Sequence, residues 1–167
     1  ILGCRGVNVT IPYKIKIMQY MDYVSEEALN IGSINTIHFS DNKLKAYNTD
    51  YYGFGMTLKR YKINVFNKDV VILGTGGASK AVLRYSMDKG AKSIIYVSRK
   101  PKNISNAEVD VISYEQLHHI KDGDIIISVQ STGNYVFENR KKVRSEGSQW
   151  IIYAGSSGSG CPTDLAG

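Results

Sequence analysis

The rhythm of apolar and polar positions changes near residue 69 of the 167-residue chain. Before it, short apolar groups alternate with polar ones. Gly6-Val7-Asn8-Val9-Thr10 reads as the end of a short strand. Pro12 fits the first turn of a helix, where its missing N–H costs nothing, and that helix is predicted through Lys16, Met18 and Tyr20. Ser25 can cap a second short helix, with Glu26 and Glu27 in its first turn and Gly32 at its end. Residues 33–39 alternate and carry β-branched side chains, Asp41-Asn42-Lys43 makes a turn, and residues 44–47 return as a partner strand. Asn48-Thr49-Asp50 stops that strand and can start a helix over 51–61 that links two lobes.

From residue 69 onward, apolar blocks recur with helical or polar stretches between them. Residues 70–73 form a buried-strand pattern, followed by a glycine-rich turn and a helix from Gly77 to about Lys89 that stops at Gly90. Strands are predicted at 92–97, 109–113, 125–128 and 150–153, with a helical turn at 114–119. Asp122-Gly123-Asp124 leads into the third of these strands. This β-α-β alternation implies a parallel, right-handed, doubly wound sheet. The fold class is therefore α/β: a Rossmann-type sheet preceded by part of a smaller α/β domain. The expected division is 1–57 for the smaller domain, 58–153 for the parallel-sheet domain and 154–167 for a tail. The tail is linker-like, because Gly and Ser dominate its first part.

A hydrophobic fraction of 43% and a charged fraction of 22% are those of a globular protein. No apolar run is long enough to span a bilayer and no signal peptide is visible, so a cytoplasmic protein is expected. The chain starts at Ile1 rather than Met, which reads as a fragment of a longer protein. Cys4 and Cys161 have no metal-ligand spacing, and His38, His118 and His119 have no partner at catalytic or metal spacing. No metal is expected. The net charge is +6, with Lys and Arg spread along the chain instead of gathered in one block. That distribution suits an anionic small substrate and a phosphorylated cofactor better than nucleic acid. Nothing in the pattern specifies an oligomeric state.

The candidate chemistry begins at Gly74-Thr75-Gly76-Gly77-Ala78-Ser79. Gly74 turns the chain sharply off the strand, and Gly76 and Gly77 let a pyrophosphate approach the backbone N–H groups. The next helix offers that phosphate its unpaired N–H groups and the positive end of its dipole. Ser79 stands where the usual fingerprint has a third glycine. The alternative is a glycine turn that binds no nucleotide. The second strand of the unit ends in Ser98-Arg99-Lys100-Pro101-Lys102, without the carboxylate that would hold an unphosphorylated ribose. Arg99 can bind a 2′-phosphate through two N–H groups, Ser98 can donate a hydrogen bond, and Lys100 or Lys102 can add charge. NADP is therefore the expected cofactor; the alternative is a solvated basic turn.

Four blocks, in this order, resemble the shikimate dehydrogenases, a family that includes quinate/shikimate relatives. They are Gly6-Val7-Asn8-Val9-Thr10-Ile11-Pro12-Tyr13-Lys14, then Gly32-Ser33-Ile34-Asn35-Thr36, then Asn48-Thr49-Asp50, then the glycine turn. The resemblance covers about residues 6–131 and implies NADPH-dependent reduction of 3-dehydroshikimate to shikimate in aromatic amino-acid biosynthesis. It implies that Lys14 is the catalytic lysine, able to hydrogen-bond the carbonyl oxygen and donate the proton. It implies that Asp50 orients Lys14 and holds a substrate hydroxyl, and that Asn35 and Thr10 meet the same substrate. Read without the family, Lys14 could be a solvated helix lysine like Lys16, Asp50 a helix N-cap, and Asn35 and Thr36 ordinary strand residues.

Departures from the family pattern accompany the match. The family's serine hydroxyls for the substrate carboxylate lie upstream of Ile1, and its substrate-binding glutamine lies on helices that follow the nucleotide domain. Val129-Gln130-Ser131-Thr132-Gly133 stands where a Thr-rich loop near the nicotinamide is usual, and 150–153 lacks an expected acidic residue. The 167 residues by themselves are therefore expected to be inactive. Rival readings are a quinate-preferring relative, an inactive nucleotide-binding fragment and a basic nucleic-acid binder.

Overall fold

The tight turn predicted at residues 41–43 closes a hairpin. In a computed structural model, which describes residues 3–10, 12–99, 101, 109–119, 125–129 and 149–152, β3 (Thr36–Ser40) pairs antiparallel with β4 (Lys43–Tyr47). Asp41 and Asn42 take φ of 55° and 57° between them, the left-handed pair that a two-residue hairpin turn needs. β1 (Gly6–Asn8) pairs antiparallel with β3, and β2 (Tyr23–Val24) pairs parallel with β4, so the first sheet has the order β1-β3-β4-β2. Ala28, Ile34, Ile37 and Ala46 are buried beneath it together with Val9.

α1 (Glu26–Ile31) begins and ends as its sequence dictates. Ser25 Oγ accepts from the N–H of Ala28 at 3.3 Å, and Gly32 takes the left-handed conformation at φ 69° that closes the helix. The region after Pro12 differs from expectation. Residues 12–15 form turns, and Lys16–Tyr20 is a 3₁₀ turn instead of an α-helix. Its bonds run three residues back, from Met18 N to Ile15 O and from Met21 N to Met18 O. With so few residues before the chain must turn into β2, there is no length over which an α-helix recovers its costly first turn.

α2 (Thr49–Arg60) leads to the second sheet. Its N-cap is Asn48, whose side chain accepts from the N–H of Asp50 at 3.0 Å. Asp50 sits in the first helical turn and is not the cap that the residue pattern alone allowed.

The second sheet is parallel throughout, in the order β7-β6-β5-β8-β9. Its strands are β5 (Asp69–Leu73), β6 (Ser93–Ser98), β7 (Asp110–Ser113), β8 (Ile125–Ser128) and β9 (Gln149–Ile152). Alternate side chains serve opposite faces. Val70, Ile72, Ile125 and Ile127 pack toward α2 and α3 (Gly77–Asp88), with Phe54, Leu58 and Val82. Val71, Leu73, Val97 and Ile126 pack against Tyr114 and Leu117 of the 3₁₀ turn Tyr114–His119. A two-faced apolar strand is what a parallel sheet covered on both sides demands. The architecture is the expected α/β one, with β5 at the centre of the order and its carboxyl end opening onto the glycine turn. The tail at 154–167 lies outside the described residues.

Candidate active site and nucleotide cradle

Four backbone hydrogen bonds assemble the first half of the site. Val9 N donates to Asn35 O at 2.7 Å, Tyr13 N to Thr10 O at 2.9 Å, Ile34 N to Lys14 O at 2.8 Å and Asn35 N to Tyr47 O at 3.0 Å. They bring Thr10, Lys14, Asn35 and the start of α2 to one end of the first sheet. Lys14 is 6% exposed and Asp50 4%, and Lys14 Nζ donates to Asp50 Oδ2 at 2.8 Å. Lys16, two residues on, is solvated. Burial of this kind removes the solvated-lysine reading of Lys14, because a buried ammonium requires a charged or hydrogen-bonding partner.

Asn35 is held firmly. Its Oδ1 accepts from Thr49 N at 2.9 Å, and its Nδ2 donates to Thr49 Oγ1 at 3.0 Å. Thr36 Oγ1 donates to the same Oδ1 at 3.0 Å. The backbone donor fixes which end of the amide is oxygen. Asn35 therefore joins β3 to the first residue of α2, and Thr10 stands exposed beside it.

Two further side chains serve this geometry. Asn48 is 2% exposed; besides capping α2, it donates from Nδ2 to Ser33 O at 2.8 Å and to Ser33 Oγ at 3.2 Å. Ser33 is fully buried, and its Oγ donates on to Gly77 O in the second unit at 3.4 Å. Sequence reading placed Asn48 at a helix start but gave Ser33 no task; only the fold brings residues 33 and 77 together.

The glycine turn forms the other half. Gly74 has φ of 108°, which strongly favours glycine, and its N–H donates to Val97 O at 2.9 Å. Gly76 caps α3 without any side-chain cap bond, leaving the first N–H groups of this 12-residue helix to other acceptors. A Cβ built on Gly76 would meet nothing within 4 Å, so open space lies against the turn there. Ala78 follows in the first turn, and Ser79, fully buried, donates from Oγ to Gly76 O at 2.6 Å. Ser79 thus replaces the third glycine of the usual fingerprint by folding its small side chain onto the turn itself. Tyr96, 2% exposed on β6, donates from its hydroxyl to Ser79 O at 2.7 Å. Burial pushes the pKa of that hydroxyl up, which keeps it a donor.

At the tip of β6, Ser98 Oγ lies 3.4 Å from Thr75 Oγ1, and Arg99 is exposed beside it. An open cradle of N–H groups, a hydroxyl pair and a guanidinium with no carboxylate between them fit a phosphorylated dinucleotide. Lys100, Lys102 and Gln130 lie outside the described residues. Among the described residues no group of three or more His, Cys, Asp or Glu could hold a metal ion, and no helix is long and apolar enough to cross a membrane.

Known proteins resemble this chain in sequence and in fold. The model of the shikimate dehydrogenase substrate binding domain matches residues 2–37. The shikimate dehydrogenase (NADP(+)) of Clostridium beijerinckii is 47% identical over 138 residues, 81% of this chain and 51% of that protein. Shikimate dehydrogenase 1 of Peptoclostridium difficile superposes with a TM-score of 0.74 at 48% identity, covering 80% of this chain and 50% of that one. Shikimate 5-dehydrogenase of Thermus thermophilus, solved in complex with NADP(H) and shikimate, superposes with a TM-score of 0.66 at 28% identity, covering 77% and 49%. The chain spans about half the length of the curated relatives it matches. With the motif blocks, the two-sheet fold and these relatives in agreement, the chain belongs to the shikimate dehydrogenase family.

Proposed function

We propose that this chain carries the lysine–aspartate pair and the cofactor cradle of an NADP-dependent shikimate dehydrogenase, reducing 3-dehydroshikimate to shikimate. The observation that carries the reading is the buried Lys14–Asp50 contact of 2.8 Å, standing next to the glycine turn. Reducing a ketone requires a hydride at carbon and a proton at oxygen. NADPH, when bound, supplies the hydride. Lys14 hydrogen-bonds the carbonyl oxygen and gives it the proton, while Asp50 holds the ammonium in place and accepts from a ring hydroxyl. Asn35, with one Nδ2 hydrogen committed to Thr49, has a second for the substrate ring, and Thr10 adds a hydroxyl at the same edge. The cofactor is held by residues 74–79, by Ser98 and Arg99, and by Lys100 and Lys102.

In this reading residues 1–57 contribute to the substrate domain and 58–153 form the cofactor domain. The protein works in the cytoplasm on a small anionic substrate and not on nucleic acid. The test is NADPH formation from NADP by the protein in its full natural length, with shikimate and quinate offered separately. Saturable formation that prefers shikimate supports the assignment. A preference for quinate moves the protein to that branch, and no turnover with either removes the activity.

A further inference from the structure

A glycine in a phosphate-binding turn is ordinarily explained by the phosphate. Gly77 has a second neighbour, on the opposite side of the site. A Cβ built there would lie 3.2 Å from Lys14 Cδ, 3.7 Å from its Cβ and 3.9 Å from its Cγ. The stem of the lysine therefore lies along the backbone of the turn. Gly77 φ lies outside the left-handed region, so backbone conformation alone does not demand glycine there. Gly76, one residue earlier, has nothing within 4 Å of the same construction. Adjacent glycines thus face different things: open space at Gly76, and the lysine from the turn beside the first sheet at Gly77. The carbonyl of Gly77 also accepts from Ser33 Oγ at 3.4 Å. Ser33 is joined through Asn48 to the N–H of Asp50, by bonds of 3.2 Å and 3.0 Å. One peptide of the cofactor turn therefore touches both members of the Lys14–Asp50 pair, the lysine by packing and the aspartate through two side chains.

We infer that Gly77 is a positioning residue for Lys14: its missing side chain lets the lysine stem lie on the cofactor turn, which fixes where the ammonium sits. The inference rests on the proposed role of Lys14 for its catalytic meaning, but its structural content does not. An added methyl at 3.2 Å is tighter than almost any relaxed contact, so the lysine stem must move by a few tenths of an ångström. The Nζ at the end of that stem moves with it, and small misplacements of reacting groups are costly, up to about a hundredfold for 1 Å.

The experiment compares Gly77→Ala with Gly76→Ala in the natural full-length protein. It uses reductive methylation of lysines read residue by residue by mass spectrometry, alongside calorimetric titration of NADP. In Gly77→Ala, Lys14 should be methylated severalfold faster than in wild type, while exposed Lys92 keeps its rate. In Gly76→Ala, Lys14 should keep its wild-type rate and NADP affinity should fall further than in Gly77→Ala. Ser33→Ala, which removes the hydroxyl's contacts to the turn and to Asn48 but leaves Gly77 in place, should shift Lys14 in the same direction and less. If shikimate turnover is present, Gly77→Ala should lower kcat about tenfold or more with a smaller change in the KM for NADP. Equal Lys14 methylation in wild type and Gly77→Ala overturns the inference, and so does acceleration of equal size in both glycine variants. Absence of shikimate turnover with the methylation contrast intact overturns only the proposed activity.

Discussion

Lys14 and Asp50 are separated by 36 positions in sequence and by 2.8 Å in space, and both are nearly withdrawn from water. Replacing Lys14 by Ala removes the proposed proton donor and the stem beside Gly77 while keeping every residue of 74–79. Turnover should fall by about 10²–10⁴, the usual contribution of a positioned acid or base, and the Kd for NADP should stay near wild type. Stopped turnover with intact cofactor binding is the pattern to look for; near-wild-type turnover would remove Lys14 from the mechanism. Arg99 offers a second test at this scale. It stands exposed after β6 with no carboxylate at the strand end, so it can read a 2′-phosphate through a forked pair of N–H groups. Arg99→Asp adds a repulsive charge and removes an attractive one, and should weaken NADP far more than NAD. Calorimetry with both cofactors decides it: equal losses would mean that Arg99 does not read the phosphate.

At the scale of elements, Tyr96 ties β6 to the first turn of α3. Its ring is buried among Val70, Ile72 and Val82, and its hydroxyl has one aim, the carbonyl of Ser79. Tyr96→Phe keeps the packing and removes the bond, so unfolding free energy should drop by about 1 kcal/mol, measurable in urea. No loss would show that the hydroxyl is indifferent to the turn. This bond illustrates what the sequence could and could not disclose. Ser25, Gly32 and the Asp41-Asn42 turn declared their elements because capping and turn chemistry are local. The parallel strands were equally legible, since Val70 to Leu73 and Ile125 to Ile127 must be apolar on both faces. β2 was not legible: Tyr23 and Val24 are too few to show a period, and their pairing with Lys45 and Ala46 is decided by tertiary contact. The 3₁₀ turn at Lys16–Tyr20 was misread as α-helix because apolar spacing does not distinguish the two over five residues. The pairing of Lys14 with Asp50 came from family resemblance, as no periodicity links residues so far apart. Ser33 and Tyr96, whose partners Gly77 and Ser79 lie far from them along the chain, gave no local signal.

At the scale of the molecule, the two sheets are joined where α2 lies on α3. Tyr85 of α3 packs edge-on against Phe54 and Tyr51 of α2, with ring centroids 5.4 Å and 5.2 Å away. Gly55 makes room for it, since a Cβ there would lie 2.5 Å from Tyr85 Cε2. At the rim, Tyr51 donates to Asp88 Oδ2 at 2.9 Å, and Arg84 holds the other oxygen of the same carboxylate at 2.8 Å. The Tyr51 hydroxyl is pushed up to about 12 from 10.0, first by burial, then by the bond to Asp88 and that carboxylate's charge, with Arg84 opposing. Its folded-state value therefore lies above its unfolded one. A group of this kind contributes stability that is fully present below pH 10.0 and is lost as pH rises through about 12. Tyr52, Tyr85 and Tyr96 are also raised, so the total stability of the wild type will fall in alkali for several reasons at once. The difference between wild type and Tyr51→Phe isolates one of them. Wild type should be the more stable at neutral pH, by about 1 kcal/mol for a hydrogen bond to a charged acceptor near the surface. Asp88 keeps its contact with Arg84 while the phenol becomes a phenolate facing a carboxylate. The gap should shrink above pH 10.0 and reverse sign by about pH 12. Urea unfolding of both proteins at steps of pH reads it directly, and a gap unchanged across that range would show that folding does not raise the pKa of the Tyr51 hydroxyl.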